Sequence, residues 1–409
     1  MKPAFELAEV IERFGNSYSE SFKPNTYVQR VLNAIKLCRT SALGGHVDCC
    51  EECGHIRISY NSCRNRHCPK CQNTQREAWI ADRNQQLLPV NYFHVVFTVP
   101  DKLNRLFLLN PPVMYNLLFR SAWDTMAQFF LTKLQAESGM TAVLHTWGQN
   151  LSLHPHLHCI VPGGGISVTG NWKQVNISKN GKVYLFPVEQ LSAVFRGKFM
   201  ERLQLQMPVD PNLKRELYKN NWVVYTKEPF AGPEAIVEYL GRYSHKVAIS
   251  NHRILGIVNK GVSYRWLDYR DNKQKIMHLE GREFLRRFSQ HILPKGFVRI
   301  RYFGILSSTR KNNLQQLQLT LGMIIKETGS RDWKEICRTR LNYDPDLCPH
   351  CGKGKMITLK SIDRTRNRIT IISGDSVFHC SESHFHAISI FLFRLVPHQN
   401  FKERVYNFR

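Results

Sequence analysis

A run of sulfur and imidazole between Cys38 and Cys71 limits this chain's folding more than any other feature. Seven of the twelve cysteines fall in that stretch, together with His46, His55 and His67. Aliphatic residues are too sparse there to build a core, so bound metal is expected to hold the segment together. Cys50-x-x-Cys53 and Cys68-x-x-Cys71 are two knuckles separated by 14 residues. Four thiolates so spaced can close a tetrahedral zinc site. Four further candidate ligands, Cys38, His46, Cys63 and His67, interleave with them and suggest a second zinc ion. Cys49 is then the spare thiol. The bland alternative, a redox pair or free thiols, leaves the convergence of eight candidate ligands unexplained.

The 409 residues exceed one simple core, so two or three domains are expected. The formal net charge is +25, and such an excess of Lys and Arg calls for a polyanionic partner. Nucleic acid comes first and an anionic membrane surface second. Membrane insertion is not expected, since no apolar run approaches a bilayer span of about 20 residues. The first residues carry acidic groups where a secretory signal would be apolar, which predicts a cytosolic protein. In that reducing compartment clustered cysteines read as metal ligands rather than disulfides.

Apolar periodicity predicts helices over 1–35, 72–88, 102–137, 232–246, 311–326 and 331–340. Strands are expected at Tyr92–Val99, Thr141–Gln149, His156–Val161 and Trp222–Thr226, and strand patterns again over 254–303.

The segment Leu151–Pro162 reads LSLHPHLHCIVP. His154, His156 and His158 share one face of an extended strand. At about 3.3 Å per residue the outer two lie roughly 13 Å apart, too far to bind one ion. Pro155 cannot sit inside a central ladder, so the strand is expected to begin after it, which favours His156 and His158. His145 in the preceding strand can face them across a hairpin turning near Asn150–Ser152, with Gln149 as the weaker alternative third ligand. Three neutral imidazoles with open positions suit a divalent ion that also binds phosphate oxygens. Tyr239 and Tyr243 stand four apart and therefore stack on one helix face. Arg242 and Lys246 each follow a tyrosine by three residues. A nearby cation can stabilise a phenolate, and a phenolate can attack a phosphodiester to give a phosphotyrosine bond. Taken alone, the pair reads as core packing; the metal strand changes that.

His156-Leu157-His158 resembles the His-hydrophobic-His motif of the HUH endonucleases, and Tyr243-Ser-His-Lys246 their Tyr-x-x-Lys motif. Phe97-Thr-Val-Pro100 resembles their first strand motif, and the step from His145 to His156 is similar to the three-histidine arrangement of relaxases. With CRTSALGGHVDCCEECGH, NSCRNRHCPKCQ and HTWGQNLSLHPHLHCIVPGGG added, the chain resembles the two-tyrosine rolling-circle transposases of bacterial insertion sequences from about Cys38 to Arg310. The resemblance implies an α+β fold with a central antiparallel sheet of HUH nuclease type and flanking helices. It adds an N-terminal zinc-binding module and a small C-terminal region. It also implies nicking of single-stranded DNA at element ends, with a tyrosine joined to the 5′ phosphate and transfer of the strand. His156 and His158 become metal ligands, Tyr239 and Tyr243 nucleophiles, and Lys246 a phosphate-neutralising group. The catalytic ion is expected to be Mg2+ or Mn2+ by family, although three histidines would by themselves also suit zinc or nickel. Host replication or helicase factors are conceivable partners, and the protein would work at bacterial nucleoid DNA.

The corresponding division is 1–86 for the helical and zinc module, 87–310 for the catalytic domain with a helical insertion, and 311–409 for a C-terminal region. Cys348-Pro-His-Cys351 is half of a zinc knuckle in that region, with Cys380, His384 and His386 as candidate partners. Arg64, Arg66 and Arg242 are candidate DNA contacts. Alternation in FVRIRYF puts Arg299 and Arg301 on one strand face, either solvated or against a DNA backbone. Two other functions compete. One is a plasmid replication initiator or relaxase using the same chemistry, although the chain lacks a helicase P-loop. The other is a non-catalytic zinc DNA-binding protein.

Overall fold

The computed structural model describes residues 3–175, 185–227, 233–258, 260–324, 332–363 and 369–371. They fall into two compact units that are discontinuous in sequence. One comprises the residues up to Cys38 together with Cys63–Leu341; the other comprises Arg39–Ser62 together with the described residues from Asn342 onward. The expected breaks after residues 86 and 310 both lie inside the first unit.

The first unit is built around five strands: β1 (Tyr92–Thr98), β2 (Gly139–Trp147), β3 (Leu153–Pro162), β4 (Val224–Lys227) and β5 (Ile300–Gly304). Their order is β5-β2-β3-β1-β4, and every neighbouring pair is antiparallel. Four helices flank this sheet: α1 (Gln72–Asn84), α2 (Pro111–Phe129), α3 (Val188–Gln206) and α4 (Pro233–Ser244). Strand alternation sorts the residues into two faces. Phe93, Val95 and Phe97 of β1, Ala142 and Leu144 of β2, and Leu157, Cys159 and Val161 of β3 enter the main core with Leu118 and Phe119 of α2 and Phe195 and Phe199 of α3. The opposite face carries His94, His145, His156 and His158. There Ile160 packs with Trp79 and Ile80 of α1 and Val237 of α4.

Several expectations change in the structure. The helix predicted over 102–137 breaks at Asn110, because a residue before proline is disfavoured in helical geometry and Pro111 opens α2 instead. Residues 254–280 form a separate three-stranded meander, and only β5 from the 254–303 region joins the five-stranded sheet. GREFLRRFS (Gly281–Ser289), between the expected strands of that region, forms a helix. It buries Phe284, Leu285 and Phe288 beside the N-terminal helix Leu7–Phe22, and Glu283 pairs with Arg286 and Arg287 along its exposed side. Gly281 allows this approach, since a Cβ there would meet the Phe14 ring at 2.2 Å.

β3 begins at Leu153 rather than after Pro155. The register shifts between His145 and Trp147, which pair with His156 and Leu153, so His154 and Pro155 bulge opposite the single residue Thr146. β1 pairing ends at His156. A bulge on an otherwise open edge requires no donor from proline.

In the second unit, Gly45–Cys50 and Ile56–Tyr60 form a hairpin that is extended by Met356–Ile362 and then Ile369–Ile371 in a four-stranded sheet. No helix among the described residues is long and apolar enough to cross a membrane.

Candidate active site and metal clusters

β2 and β3 set His145 directly opposite His156, with His158 one side-chain step along the same face. One ring nitrogen from each of the three histidines lies within 4.8 Å of the others. The remaining ring nitrogens are tied down. His145 Nε2 is 2.8 Å from the Tyr243 carbonyl, His156 Nδ1 is 2.6 Å from the His154 carbonyl, and His158 Nδ1 is 2.9 Å from His94 Nε2. If the first two donate these bonds, Nδ1 of His145 and Nε2 of His156 are left as lone-pair ligands. Metal-binding imidazoles are generally oriented by a bond of this kind. Burial opposes protonation throughout, holding His156 at about 4 and pushing His145 and His158 well below their ordinary range. Neutral imidazole is the form that binds metal, so the donor set fits one divalent ion. Gln149 instead donates to the Tyr269 hydroxyl, and His154 is exposed on the outer side of His156.

The sequence reading missed His94, which is 3% exposed on β1. Its ring stacks on His158 at 5.2 Å, meets Tyr239 edge-on at 5.3 Å and lies 6.2 Å from Tyr243. Its Nδ1 is buried without a hydrogen-bond partner.

α4 brings the tyrosines onto this face. The Tyr243 hydroxyl donates to the Tyr239 hydroxyl at 3.2 Å, and the Tyr243 ring centre is 4.4 Å from that of His158 and 5.9 Å from that of His145. The Lys246 ammonium lies 5.4 Å from the Tyr243 ring, and the Lys227 ammonium, which the sequence reading also missed, 5.1 Å from the Tyr239 ring. Crowding by the protein lowers the Lys246 pKa even though its chain reaches solvent. Between the tyrosines, Gly241 turns its bare backbone toward α1, where a Cβ would meet Ile80 Cδ1 at 2.3 Å.

Arg299 and Arg301 do not share a face, because β5 starts at Ile300 and alternation does not extend back to residue 299. Arg299 is 8% exposed and donates to the carbonyls of Ser244 (2.6 Å) and Lys246 (3.2 Å), capping the end of the tyrosine helix. Burial, helped by nearby Arg66, holds its pKa down to about 10. Arg301 lies over Phe119 and Phe297 and reaches Asn116. Arg66 donates to the carbonyls of Leu293, Pro294 and Phe297, so it anchors a loop. Arg64 is exposed, and the Arg242 side chain lies outside the described residues. Arg299→Ala should destabilise the fold by about 2–4 kcal/mol, because it removes a charged donor from the buried Ser244 carbonyl and the partly buried Lys246 carbonyl. Denaturant titration checks this, and an unchanged midpoint would remove Arg299 from its capping role.

The cysteines gather differently from the sequence expectation. Cys38, Cys63, Cys68 and Cys71 form one cluster, and Cys50, Cys53, Cys348 and Cys351 another. The Cys50 knuckle therefore does not share a site with the Cys68 knuckle. A tetrahedral zinc–thiolate site has sulfur–sulfur edges of about 3.8 Å. Cys38–Cys71 measures 3.4 Å and Cys63–Cys71 3.7 Å, and both Cys50–Cys351 and Cys53–Cys348 measure 3.8 Å. Four thiolates gathered this closely repel one another, so all four can ionise together only beside a cation. His46 and His67 belong to neither cluster. His46 faces the Asp48 carboxylate at 3.4 Å, and His67 is buried with Nε2 unpartnered. Cys380, His384 and His386 lie outside the described residues.

Away from the metal ligands, burial holds His245 and His291 at about 4. An unfolded imidazole takes up its proton near pH 6.5. The unfolded state therefore binds more protons, and stability should fall as pH drops from about 6.5 through 4. Thermal melts across that range test this, and a flat profile would contradict it.

An antiparallel sheet bearing a histidine triad, faced by a tyrosine pair and accompanied by thiol clusters, makes DNA-cleaving enzymes the class to compare with. Residues 139–313 match a family described as "Putative transposase", and residues 10–99 match one described as "Transposase zinc-binding domain". A relative named "Putative transposase y4qJ", from Sinorhizobium fredii, is 43% identical over 384 residues, covering 88% of this chain and 96% of its own. The "Transposase for insertion sequence element IS801", from Pseudomonas savastanoi pv. phaseolicola, is 29% identical over 336 residues, covering 78% and 81%. No solved structure matches. The chain belongs to this transposase family with its zinc-binding domain, and it is accordingly a DNA-cleaving enzyme whose partner is DNA; the zinc-binding domain and the cysteine clusters support structural zinc.

Proposed function

We propose that the protein nicks single-stranded DNA at element ends through a 5′-phosphotyrosine intermediate and transfers the strand in a rolling-circle-like manner. The observation that carries this reading is the contact of the Tyr243 ring with His158 and His145 on one sheet face. His145, His156 and His158 would hold a divalent ion, Mg2+ or Mn2+, which polarises the scissile phosphate. The phenol oxygen of Tyr239 or Tyr243 forms the new bond to phosphorus, and the bond from phosphorus to the 3′ oxygen breaks. One proton passes overall from the phenol to that oxygen. The phosphotyrosine conserves the bond energy, so a 3′ hydroxyl can later reverse the exchange. The second tyrosine, hydrogen-bonded to the first, permits a second transfer before the first product leaves. Lys246 and Lys227 place positive charge where phenolate and phosphate charge develops. The net charge of +25 favours DNA association at low salt.

Incubation with manganese and single-stranded DNA carrying an element terminus should give a denaturant-resistant protein–DNA adduct. The adduct should be absent with chelator and with fully paired duplex. DNA binding with no cleavage under any metal would support a non-catalytic zinc protein instead. Removing the bond to His158 through His94→Leu should lower adduct formation about 10- to 100-fold, the usual effect of losing a group that orients a metal ligand. Rates equal to wild type at saturating manganese would exclude His94 from positioning.

A further inference from the structure

The cluster of Cys50, Cys53, Cys348 and Cys351 joins segments 295 to 301 residues apart. The two halves repeat one backbone design. Cys50-Glu-Glu-Cys53-Gly54 and Cys348-Pro-His-Cys351-Gly352 each end in a glycine with positive φ, 67° and 65°. In each, the N–H of that glycine donates to the carbonyl of the first cysteine, at 3.1 Å for Gly54 and 3.0 Å for Gly352. The first cysteine's own N–H closes the loop by donating to the carbonyl of His55 (3.0 Å) or Gly354 (2.8 Å). Backbone N–H groups of His350 and Gly354 point at the Cys348 and Cys351 sulfurs, both at 3.4 Å. Such bonds stabilise thiolate. His55, just after the first knuckle, and His350, within the second, stack at 5.1 Å. Gly354 leaves room for this packing, as a Cβ there would sit 2.4 Å from the Cys50 sulfur. The strand following the second knuckle pairs along the first hairpin from Gly45↔Ile362 to Cys50↔Met356.

We infer that these four cysteines bind one zinc ion in a composite, closed site in which the C-terminal knuckle completes a ribbon begun by the N-terminal hairpin. This site is distinct from the one formed by Cys38, Cys63, Cys68 and Cys71. Its role is a clasp. The charged residues flanking the knuckles in sequence are acidic on balance, Glu51, Glu52, Asp344 and Asp346 against Lys353 and Lys355, which favours a structural role over a DNA contact. The metal is Zn2+ because four thiolates in tetrahedral array suit it and four sulfur ligands close the shell. The sequence pattern of the zinc-binding domain ends at residue 99, so half of the site lies far beyond it.

Elemental analysis of the full chain tests this. Wild type should carry two zinc ions. Cys50→Ser/Cys53→Ser, Cys348→Ser/Cys351→Ser and the quadruple variant should each carry one, because either half is useless without the other. If Cys348→Ser/Cys351→Ser retains two zinc ions, the composite site is wrong. Iron in place of zinc would overturn the metal assignment. A second readout needs no variant. Maleimide labelling of native wild-type protein during gradual chelation should expose Cys50, Cys53, Cys348 and Cys351 together as one set. Exposure of Cys50 and Cys53 together with Cys68 and Cys71, ahead of Cys348 and Cys351, would restore the sequence-neighbour pairing and contradict the clasp.

Discussion

Tyr239→Phe/Tyr243→Phe should form no covalent adduct with single-stranded DNA while folding and binding DNA as the wild type does. The hydroxyls stand 3.2 Å apart, and phenylalanine keeps the rings that pack against His94, His145 and His158. Removing a nucleophile outright costs more than about a thousandfold in rate. Single variants separate the two roles. Either one alone should still cleave, because both rings lie beside His94 on the same sheet face, but paired strand transfer should fail. Unchanged adduct yield in the double variant would remove both residues from the chemistry.

His156→Ala/His158→Ala should abolish manganese-dependent cleavage, a loss of about a thousandfold or more if the ion supplies several kcal/mol of charge stabilisation. Zinc content should not change, because neither histidine belongs to a thiol cluster. The double variant distinguishes catalysis from folding for that reason. Residual cleavage that still responds to manganese would locate the ion elsewhere. His145 is a less clean target. Its Nε2 also holds the Tyr243 carbonyl, so His145→Ala would disturb metal and tyrosine helix together. That double attachment is the physical link between the two halves of the site.

The parts legible in the sequence follow a fixed local period. Alternation put His156 and His158 on one face, a hairpin carried His145 back to them, and a four-residue step stacked Tyr239 on Tyr243. What depends on register between strands distant in sequence was hidden. His94 is a lone imidazole in an apolar strand, and nothing nearby in sequence says that β1 lies against β3. The thiol clusters show the same limit. A Cys-x-x-Cys knuckle encodes half a site and not its partner, so adjacent knuckles looked like one site although Cys50 and Cys53 meet residues nearly 300 positions away. Arg299 misled in a different way, because alternation was read past the end of β5 into a loop residue that caps a helix.

The account depends on a tyrosine oxygen reaching a phosphate held at the histidine triad. Proteolysis of the adduct formed with a short single-stranded substrate, followed by mass spectrometry of the nucleotide-bearing peptide, tests this directly. The prediction is a peptide modified on Tyr239 or Tyr243 through a 5′ phosphate, shifting wholly to the other tyrosine when one is changed to phenylalanine. A nucleotide attached to any other residue, or cleavage that leaves no protein-bound phosphate at any time, would contradict it.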